Sequence, residues 1–339
     1  MVSETPPFWW RKRGLWAAFL SPASFAYGRF AARRLARGRR EAVDIPVLSV
    51  ANLIVGGAGK TLTAMALARA AEAAGLRPGF ACEGPPGAHA EPHLVDPQHD
   101  SMRHVGEQAL ELARMAPVAV SPDRASSARR LAAEGCSVVI VPDGFAGAAL
   151  KLDYALIVVD AERGLGNGLV IPGGPLRAPL VDQLRHATGV LLLGKGSSAV
   201  EVVRRVSRAG RAVHMAEIVA SDTARLDGRE IMAFAGIAAP ETFFELVRDA
   251  GGNTIRSRSF GAGHFYTEED VESLTGMARE GRLTPVTTVR DAIRLANGDG
   301  HARSLLERSQ VLSAEISFEN ADVPGRIIRE AIEAWRRRR

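Results

Sequence analysis

The feature that most constrains this chain is a glycine-rich run that ends in lysine and threonine. It reads Gly56-Gly57-Ala58-Gly59-Lys60-Thr61 and lies between a strand-like apolar stretch and a helix-like stretch. In a phosphate-binding loop, backbone N–H groups and a helix N-terminus converge on the anion, and glycine lets the backbone curl around it. The run therefore predicts a P-loop that binds a nucleoside triphosphate.

Two side chains of this loop have predicted roles of their own. Lys60 is expected to bring a positive charge to the phosphates, and the Thr61 hydroxyl is expected to ligate Mg²⁺. The general pattern has glycine where Ile54 stands, so a plain glycine-rich turn is the alternative. The strand-like residues 45–50 before the loop and the helix-like residues 61–74 after it favour the phosphate loop, because that context is the one it needs.

Apolar strand-like runs alternate with helix-like stretches along the rest of the chain. Strands are predicted at residues 118–120, 138–141, 156–160 and 189–194, and then at 231–236, 254–259 and 286–288. Helices are predicted at residues 106–115, 123–133, 240–250 and 267–279. Buried strands connected by helices indicate a parallel sheet covered on both faces. We predict an α/β fold, with a P-loop NTPase-like parallel sheet covered by helices and a second, smaller α/β lobe.

The same alternation suggests three segments. Residues 1–42 form a basic and aromatic segment, residues 43–212 a P-loop nucleotide-binding lobe, and residues 213–339 the second lobe, with a cleft expected between the lobes. Residues 83–101 are rich in Pro, Gly and His and are expected to form a loop or small hairpin near the nucleotide.

The N-terminal segment concentrates rings and positive charges that are scarce elsewhere. Only 6% of the chain is aromatic, and the positive charge of this segment and of the four arginines at 336–339 together exceeds the formal net charge of +5. The uncharged stretch 14–28 is shorter than the ~18–20 apolar residues of a spanning helix. Aromatic rings settle at the depth of lipid head groups and arginines meet anionic phosphates, so we predict an interfacial helix on an anionic membrane.

Three alternatives stay open for this segment. Basic residues 11–13 followed by apolar residues 15–20 are also typical of a secretory signal peptide. The aromatic side chains could instead pack on the protein's own core. Clustered cations also attract nucleic acid, which leaves a nucleic-acid-associated ATPase as a third function class.

An acidic residue at the end of a neighbouring strand is the expected partner of the phosphate loop. Asp143 follows the strand predicted at 138–141 and is the natural candidate to support Mg²⁺. A turn or helix N-cap aspartate is the alternative. The two cysteines, Cys82 and Cys136, form no C-x-x-C pair, so neither a disulfide framework nor a zinc site is indicated, and a reducing cytoplasm fits.

The motifs beyond the loop resemble those of the tetraacyldisaccharide 4'-kinase family, from Phe8 to about Pro324. Residues 50–61 are similar to the family's phosphate loop, which also lacks the first glycine of the general pattern. Further similar motifs lie at residues 122–124, 160–168, 172–180 and 233–244.

This resemblance implies an ATP-dependent lipid kinase of lipid A biosynthesis that phosphorylates the 4'-hydroxyl of a tetraacyldisaccharide 1-phosphate. It implies ATP and Mg²⁺ as cofactors and a peripheral location on the cytoplasmic face of the inner membrane. The implied partners are the glycolipid substrate and the anionic membrane surface, and no nucleic acid is expected. Asn167 and Arg177 lie in matched motifs and are expected to bind substrate, although Arg177 could simply cap a strand end.

The chain departs from the family at positions that carry chemistry. Residues 82–87 read Cys-Glu-Gly-Pro-Pro-Gly where the family has Ser-Arg-Gly-Tyr-Gly-Gly, so Glu83 replaces a cation near the phosphates. Residues 142–146 read Pro-Asp-Gly-Phe-Ala where the family has Asp-Asp-Gly-Phe-Gln, and one acidic residue is lost.

The expected catalytic pair is altered as well. Glu107 stands where the family has the aspartate proposed as base, and it is one methylene longer. His264 keeps one histidine of the family's Asp-His-His segment. Because base assistance contributes about 10²- to 10⁴-fold, we expect a slowed kinase in which Glu107 is the base, oriented by His264. The alternative is an ATP-binding relative that regulates or scaffolds the pathway at the membrane.

Overall fold

The computed structural model describes residues 6–38, 40–56, 59–144, 150–221 and 226–339. The strands, in chain order, are β1 (Val47–Asn52), β2 (Pro78–Cys82), β3 (His93–Leu94), β4 (Val118–Val120), β5 (Val138–Pro142), β6 (Tyr154–Asp160), β7 (Gly189–Leu193), β8 (Ala212–Ala220), β9 (Glu230–Ala235), β10 (Asn253–Ser259), β11 (Thr284–Thr288), β12 (Gln310–Leu312) and β13 (Ala314–Phe318). The helices are α1 (Leu15–Phe19), α2 (Ser21–Arg37), α3 (Lys60–Ala73), α4 (Met102–Val105), α5 (Glu107–Ala113), α6 (Arg124–Ala133), α7 (Leu180–Arg185), α8 (Val200–Arg208), α9 (Pro240–Asp249), α10 (Glu268–Gly281), α11 (Val289–Ala296), α12 (Gly300–Arg308) and α13 (Val323–Arg338).

The described strands form two sheets. The larger has nine strands in the order β13-β8-β7-β6-β1-β5-β2-β4-β3, and the smaller has four in the order β10-β9-β11-β12. From β8 to β4 the neighbours of the larger sheet are parallel, and β3 pairs antiparallel with β4. The predicted α/β fold with a parallel P-loop NTPase-like sheet and a second, smaller sheet is confirmed.

The central strand of the larger sheet, β1, carries the chain into the phosphate loop. All of its residues are buried, because helices cover the sheet on both faces. On one face, Leu35 of α2 and Val202 of α8 join a cluster with β6 and β7 residues. On the other face, Leu131 of α6 packs with residues of β1 and β5. Apolar burial on both sides explains why β1 is mostly hydrophobic.

The smaller sheet has a core of its own. Met232 and Phe234 of β9 pack with Leu274 of α10, Leu295 of α11 and Leu305 of α12. β9 pairs in parallel with both β10 and β11, so it has sheet neighbours on both sides. Its Ile231 to Ala235 stretch is buried accordingly.

The contacts among the described residues group the chain into two compact units. One contains Pro97–Arg114 and Val219–Glu315, and the other contains the residues up to Asp96, Met115–Ile218 and Ile316–Arg339. The segment with α4 and α5 thus belongs with the smaller sheet. The segment with α13 belongs with the larger sheet. The contiguous three-segment division stays a prediction, and these units interleave along the chain.

The N-terminal segment divides its aromatic side chains between the core and the surface. Trp9 is buried and its indole Nε1 donates to the Pro172 carbonyl at 2.9 Å, and Trp10 packs against the core of the larger unit. In α1 and α2, by contrast, several large apolar side chains are exposed: Leu15 (90%), Trp16 (68%), Phe19 (77%), Phe25 (68%) and Phe30 (63%). Within the described ranges, no helix combines the length and apolar character that crossing a bilayer requires.

The C-terminal helix α13 packs against α3, β1 and β6. Near its end, Arg338 forms an ion pair with Asp153, with Nε 2.6 Å from Oδ1, and also donates to the Val43 carbonyl at 2.9 Å. The Asp153 side chain is 1% exposed and accepts a second hydrogen bond from the Val47 N–H at 2.9 Å. A single guanidinium thus ties α13 to the start of β1.

Replacing Arg338 with methionine is expected to lower the free energy of unfolding by about 2–3 kcal/mol, because it leaves the buried Asp153 carboxylate without its cation. Urea unfolding followed by circular dichroism measures the change. The matched control is Arg337→Met, since Arg337 is 72% exposed and its ion pair with Glu333 is long, at 3.9 Å. Equal losses in the two variants would contradict a buried clamp.

Candidate functional site

The predicted phosphate loop connects β1 to α3. Gly56 and Gly59 both have positive φ, at 71° and 84°, and Gly59 is the N-cap of α3. The positive φ favours glycine at position 59, and a Cβ there would also displace the terminal methyl of Leu193. Gly57 and Ala58, which were also predicted to bind the cofactor, lie outside the described residues.

Lys60 and Thr61 open the helix that follows the loop. They are the first two residues of α3, so N–H groups of its first turn lie beside them. Thr61 is buried at 3% exposure, whereas the Lys60 side chain is 13% exposed. A helix N-terminus that carries a lysine is the arrangement that binds anions.

Asp143 stands at the end of β5, the strand next to β1. Its backbone is left-handed, with φ of 61°, and its N–H donates to the Val50 carbonyl at 2.7 Å. Its carboxylate Oδ2 lies 3.6 Å from the Lys60 Nζ. Parallel strands bring their carboxyl ends to one edge of the sheet, and Asp143 therefore meets the phosphate loop as its position in the sequence predicts.

Arg177 joins the same cluster. Its Nη2 donates to Asp143 Oδ2 at 2.9 Å and its Nε donates to the Ile54 carbonyl at 3.1 Å. The cluster of Lys60, Asp143 and Arg177 therefore carries two positive charges and one negative charge, which leaves one net positive charge for an anion. Its side chains are 13%, 27% and 26% exposed, so they are screened by solvent less than surface charges are.

The donor atoms of this cluster fit a magnesium ion. Asp143 Oδ1 is buried and has no hydrogen-bond partner among the described residues, although its Oδ2 has two cationic neighbours. Mg²⁺ prefers oxygen ligands and commonly takes only one or two from the protein, with phosphates and water completing the octahedron. Asp143 and the Thr61 hydroxyl supply ligands of this kind.

A cavity of about 220 Å³ lies beside the cluster, within the larger unit. One wall comes from α2 and carries rings and an arginine, and the other wall carries polar groups from the end of β1 and from the Asp143 turn. The lining includes Tyr27, Phe30, Arg34, Asn52, Asp143 and Arg177. The cavity thus offers both apolar surface and cations, which suits an amphipathic anionic molecule.

The predicted substrate residue Asn167 is used within its own loop. Its Nδ2 donates to the Gly173 carbonyl at 2.8 Å and its Oδ1 accepts from the Leu169 N–H at 3.0 Å. Its backbone N–H donates to the Trp9 carbonyl at 2.7 Å. Asn167 therefore shapes the 167–174 loop and joins it to the N-terminal segment, and its contact with substrate stays a prediction.

In the smaller unit, Glu107 is the first residue of α5 and is held by two arginines of α11. Its two oxygens accept from Arg294, with Nε to Oε2 at 2.9 Å and Nη2 to Oε1 at 3.0 Å. Arg290 lies 3.7 Å from Oε1. The described polar partners of Glu107 are thus arginines, and none of them is His264.

His264, the other predicted catalytic residue, has a different partner. Its Nε2 lies 2.8 Å from Asp270 Oδ2, and its ring stacks on Phe260 with centroids 4.8 Å apart. Asp270 also completes the capping box of α10 with Thr267. Burial disfavours the Asp270 carboxylate, but hydrogen bonds from His264 and Thr267 outweigh it and hold the pKa of Asp270 below its usual value.

Two ion pairs could not be predicted from the sequence, namely Arg124 with Glu83 and Arg294 with Glu107. Arg124 donates to Glu83 at 2.8 Å, which neutralises the anion at that departure from the family pattern. Arg294 is 5% exposed and lies in the apolar run 292–296. A charged residue within an apolar run is the sequence signal that could have indicated this ion pair, because a buried guanidinium requires carboxylate partners.

Comparison with known proteins gives one consistent relationship. The family model for tetraacyldisaccharide-1-P 4'-kinase matches residues 16–332. Tetraacyldisaccharide 4'-kinases of Mesorhizobium japonicum, Rhizobium meliloti and Brucella melitensis are 47%, 46% and 45% identical, each over 100% of this chain and 98–99% of the relative. The crystal structure of the "apo" form of Aquifex aeolicus LpxK in complex with ATP superposes with a TM-score of 0.67 at 21% identity, covering 93% of this chain and 99% of that chain. This last likeness shows the fold.

Proposed function

The chain belongs to the tetraacyldisaccharide 4'-kinase family, and we propose on that premise that it transfers the γ-phosphoryl group of ATP to the 4'-hydroxyl of a tetraacyldisaccharide 1-phosphate. The observation that carries the proposal is the cluster of Lys60, Asp143 and Arg177 at the phosphate loop. Phosphoryl transfer depends mainly on positioning and charge stabilisation, and this cluster has the residues for both.

In the proposed reaction, the bond between the γ-phosphorus and the bridging oxygen of ATP breaks, and a bond to the acceptor oxygen forms. The hydroxyl proton passes to a carboxylate, for which we propose Glu107, and ADP leaves with the bridging electron pair. Lys60 and the N–H groups of the first α3 turn stabilise the charge on the phosphates. Mg²⁺, held by Thr61 and Asp143, would neutralise the developing negative charge when it is bound.

The cavity beside the cluster supports a glycolipid acceptor. Arg34 and Arg177 offer positive charge for its phosphate, and Tyr27 and Phe30 offer apolar surface for the parts next to its acyl chains. A volume of about 220 Å³ is suited to one sugar ring rather than to a whole lipid. We propose that the acyl chains stay outside this cavity.

The decisive experiment incubates the purified full chain with ATP, Mg²⁺ and tetraacyldisaccharide 1-phosphate in detergent micelles and follows product by mass spectrometry. The Mesorhizobium japonicum relative serves as the positive control. A bisphosphorylated product is expected. Its absence, where the control gives product, would overturn the kinase proposal, and ATP binding without transfer would then match a regulatory or scaffolding relative.

Glu107→Gln is expected to lower kcat about 10- to 100-fold while leaving the Kd for ATP unchanged, because the amide cannot take the hydroxyl proton. Initial rates and ATP titration by fluorescence measure the two quantities. Glu111→Gln is the matched control, since Glu111 lies one turn further along α5 and pairs with Arg290 at 2.9 Å. A joint loss of kcat and ATP affinity would assign Glu107 to the fold instead.

The exposed apolar side chains of α1 support a peripheral membrane location on the anionic surface of the inner membrane. Leu15, Trp16 and Phe19 are exposed next to the basic residues 11–13. Rings at head-group depth and cations at anionic phosphates stabilise such binding together. Retention on vesicles but not on DNA at physiological salt would also separate this proposal from nucleic-acid binding.

Replacing both Trp16 and Phe19 with serine is expected to lower the partition coefficient about 30-fold or more on vesicles containing phosphatidylglycerol, because each ring contributes on the order of 1–3 kcal/mol of apolar transfer. Vesicle co-sedimentation measures the coefficient. Val200→Ser is the control, since Val200 is 51% exposed on α8. Unchanged binding of the double variant would exclude α1 as the membrane contact.

A further inference from the structure

The carboxylate of Glu107 accepts two hydrogen bonds from the guanidinium of Arg294, which is itself buried. Arg294 donates from Nε and Nη2 to the two oxygens of Glu107, in a bidentate arrangement, and its side chain is 3% exposed. Parallel hydrogen bonds of this kind fix the plane of the carboxylate as well as its distance. A carboxylate has about four lone-pair sites, so two of them stay available for a further proton donor.

Arg294 cannot easily leave this position, because its third nitrogen is also held. Nη1 donates to the Gly236 carbonyl at 2.9 Å and to Asp291 Oδ1 at 2.6 Å. Asp291 is fully buried and accepts in turn from the Gly236 N–H at 3.0 Å and from the Tyr266 hydroxyl at 2.8 Å. The guanidinium is thus fixed from the side opposite Glu107.

Two further charged residues near Glu107 are Arg290 of α11 and Glu111 of α5. Arg290 lies 3.7 Å from Glu107 and 2.9 Å from Glu111, which is 7% exposed on its side chain. Burial disfavours the Arg290 cation, but Glu111 and Glu107 outweigh it and raise the pKa of Arg290. The carboxylates Glu107, Glu111 and Asp291 are therefore met by two arginines, of which Arg294 alone engages both Glu107 oxygens.

We propose that Arg294 is a positioning residue that holds the Glu107 carboxylate in one orientation for accepting the acceptor's hydroxyl proton. The inference rests on the proposed function, since it gives Glu107 a proton to accept. A bidentate pair restricts the rotation of a carboxylate, whereas a single ammonium attracts it without fixing its plane. These two effects can be separated by substitution.

Arg294→Met removes the charge and the two donors together. We expect kcat to fall about 10- to 100-fold with the KM for ATP unchanged. Arg294→Lys keeps the charge but not the planar pair of donors. It should lose no more than about tenfold in kcat, a partial rescue relative to Arg294→Met, with the KM for ATP again unchanged.

The matched control is Arg338→Met, which also removes a buried guanidinium from a carboxylate but lies in the larger unit and touches no group of the proposed chemistry. It should lose stability and keep both kcat and the KM for ATP at 20 °C. An unchanged kcat in Arg294→Met, or an equal loss of kcat in Arg338→Met, would overturn the inference.

A second readout does not depend on turnover. With ¹³C-carboxyl glutamate, the resonance of Glu107 is identified by its loss in Glu107→Gln, and its chemical shift and line width are then compared at one pH between Arg294→Met and the unsubstituted protein. A changed resonance is expected, and an unchanged one would overturn the inference even in an active enzyme. If the resonance changes in a protein that forms no bisphosphorylated lipid, the kinase proposal fails and the hold of Arg294 on Glu107 stands.

Discussion

Lys60→Met is expected to lower kcat/KM for ATP about 10³-fold and to remove measurable ATP binding at micromolar nucleotide. Removal of one preorganised donor from a site of this kind costs about 10²- to 10³-fold. A second effect adds to it here, because without the lysine Asp143 loses one of its two counter-charges among the described residues and repels the phosphates more strongly. Methionine keeps the length and apolar stem of lysine, so the change isolates the charge.

Isothermal titration with ATP and initial-rate kinetics measure this effect. Lys151→Met is the control, since Lys151 is exposed and precedes β6 at the opposite end of the sheet. It should bind and turn over ATP as the unsubstituted protein does. Turnover of Lys60→Met within threefold of that value would mean that residues 56–61 form an ordinary glycine-rich turn.

Asp143→Asn is expected to lower kcat about 10²- to 10³-fold and to raise the Mg²⁺ concentration needed for half-maximal rate. The amide is a poorer Mg²⁺ ligand than the carboxylate, and Oδ1 is the buried oxygen without a hydrogen-bond partner among the described residues. Asparagine tolerates the left-handed backbone that residue 143 adopts, so the turn itself should be kept.

The same substitution makes an opposite prediction without the metal. In the presence of EDTA, Asp143→Asn should bind ATP about fivefold more tightly, because Lys60 and Arg177 are no longer neutralised by the carboxylate. Asp182→Asn is the control, since the Asp182 side chain is 30% exposed and pairs with Arg185 within α7. Weaker ATP binding of the Asp143 variant in both conditions would assign Asp143 a structural role.

The core strands could be read directly from the sequence because they are buried on both faces. The run predicted at 118–120 is β4, the run predicted at 138–141 is β5 with one more residue, and the helix predicted at 61–74 is α3 displaced by one residue. Continuous apolar runs and glycine stops leave few alternatives in such segments. The short β3, by contrast, has only two residues and no apolar pattern, and the sequence indicated only a loop or small hairpin there.

The alternative of packing on the protein's own core holds for part of the N-terminus, and the membrane contact of the rest stays a prediction. Trp9 and Trp10 pack on the core of the larger unit, and Trp16 and Phe19 are exposed. The composition of a 42-residue segment cannot separate the buried rings from the exposed ones, since it gives the number of aromatic side chains but not the direction in which each one points. The helical part of this segment is interrupted before Pro22, because α1 ends at Phe19 and α2 carries the proline in its first turn.

The partners of charged residues were the least predictable part of the site. Asp143 was identified from its position after a strand, but Arg177 lies 34 positions away and Arg294 lies 187 positions from Glu107. Hydrophobic periodicity in the sequence carries no information about contacts between residues that are so far apart along the chain. Glu83 is an example. It stands where the family has a cation, but Arg124, which lies 41 positions away in the sequence, donates to its carboxylate and supplies a positive charge.

The clamp between Arg338 and the start of β1 has a consequence for how the protein is made. Val43 and Arg338 are 295 positions apart, so the strand that leads to the phosphate loop leaves the ribosome long before the helix that covers it. During that interval the apolar surfaces of β1 and α3 lack the packing of α13. Nascent chains that expose such surfaces are prone to aggregate, and the lobe that binds the nucleotide can complete its core only late in synthesis.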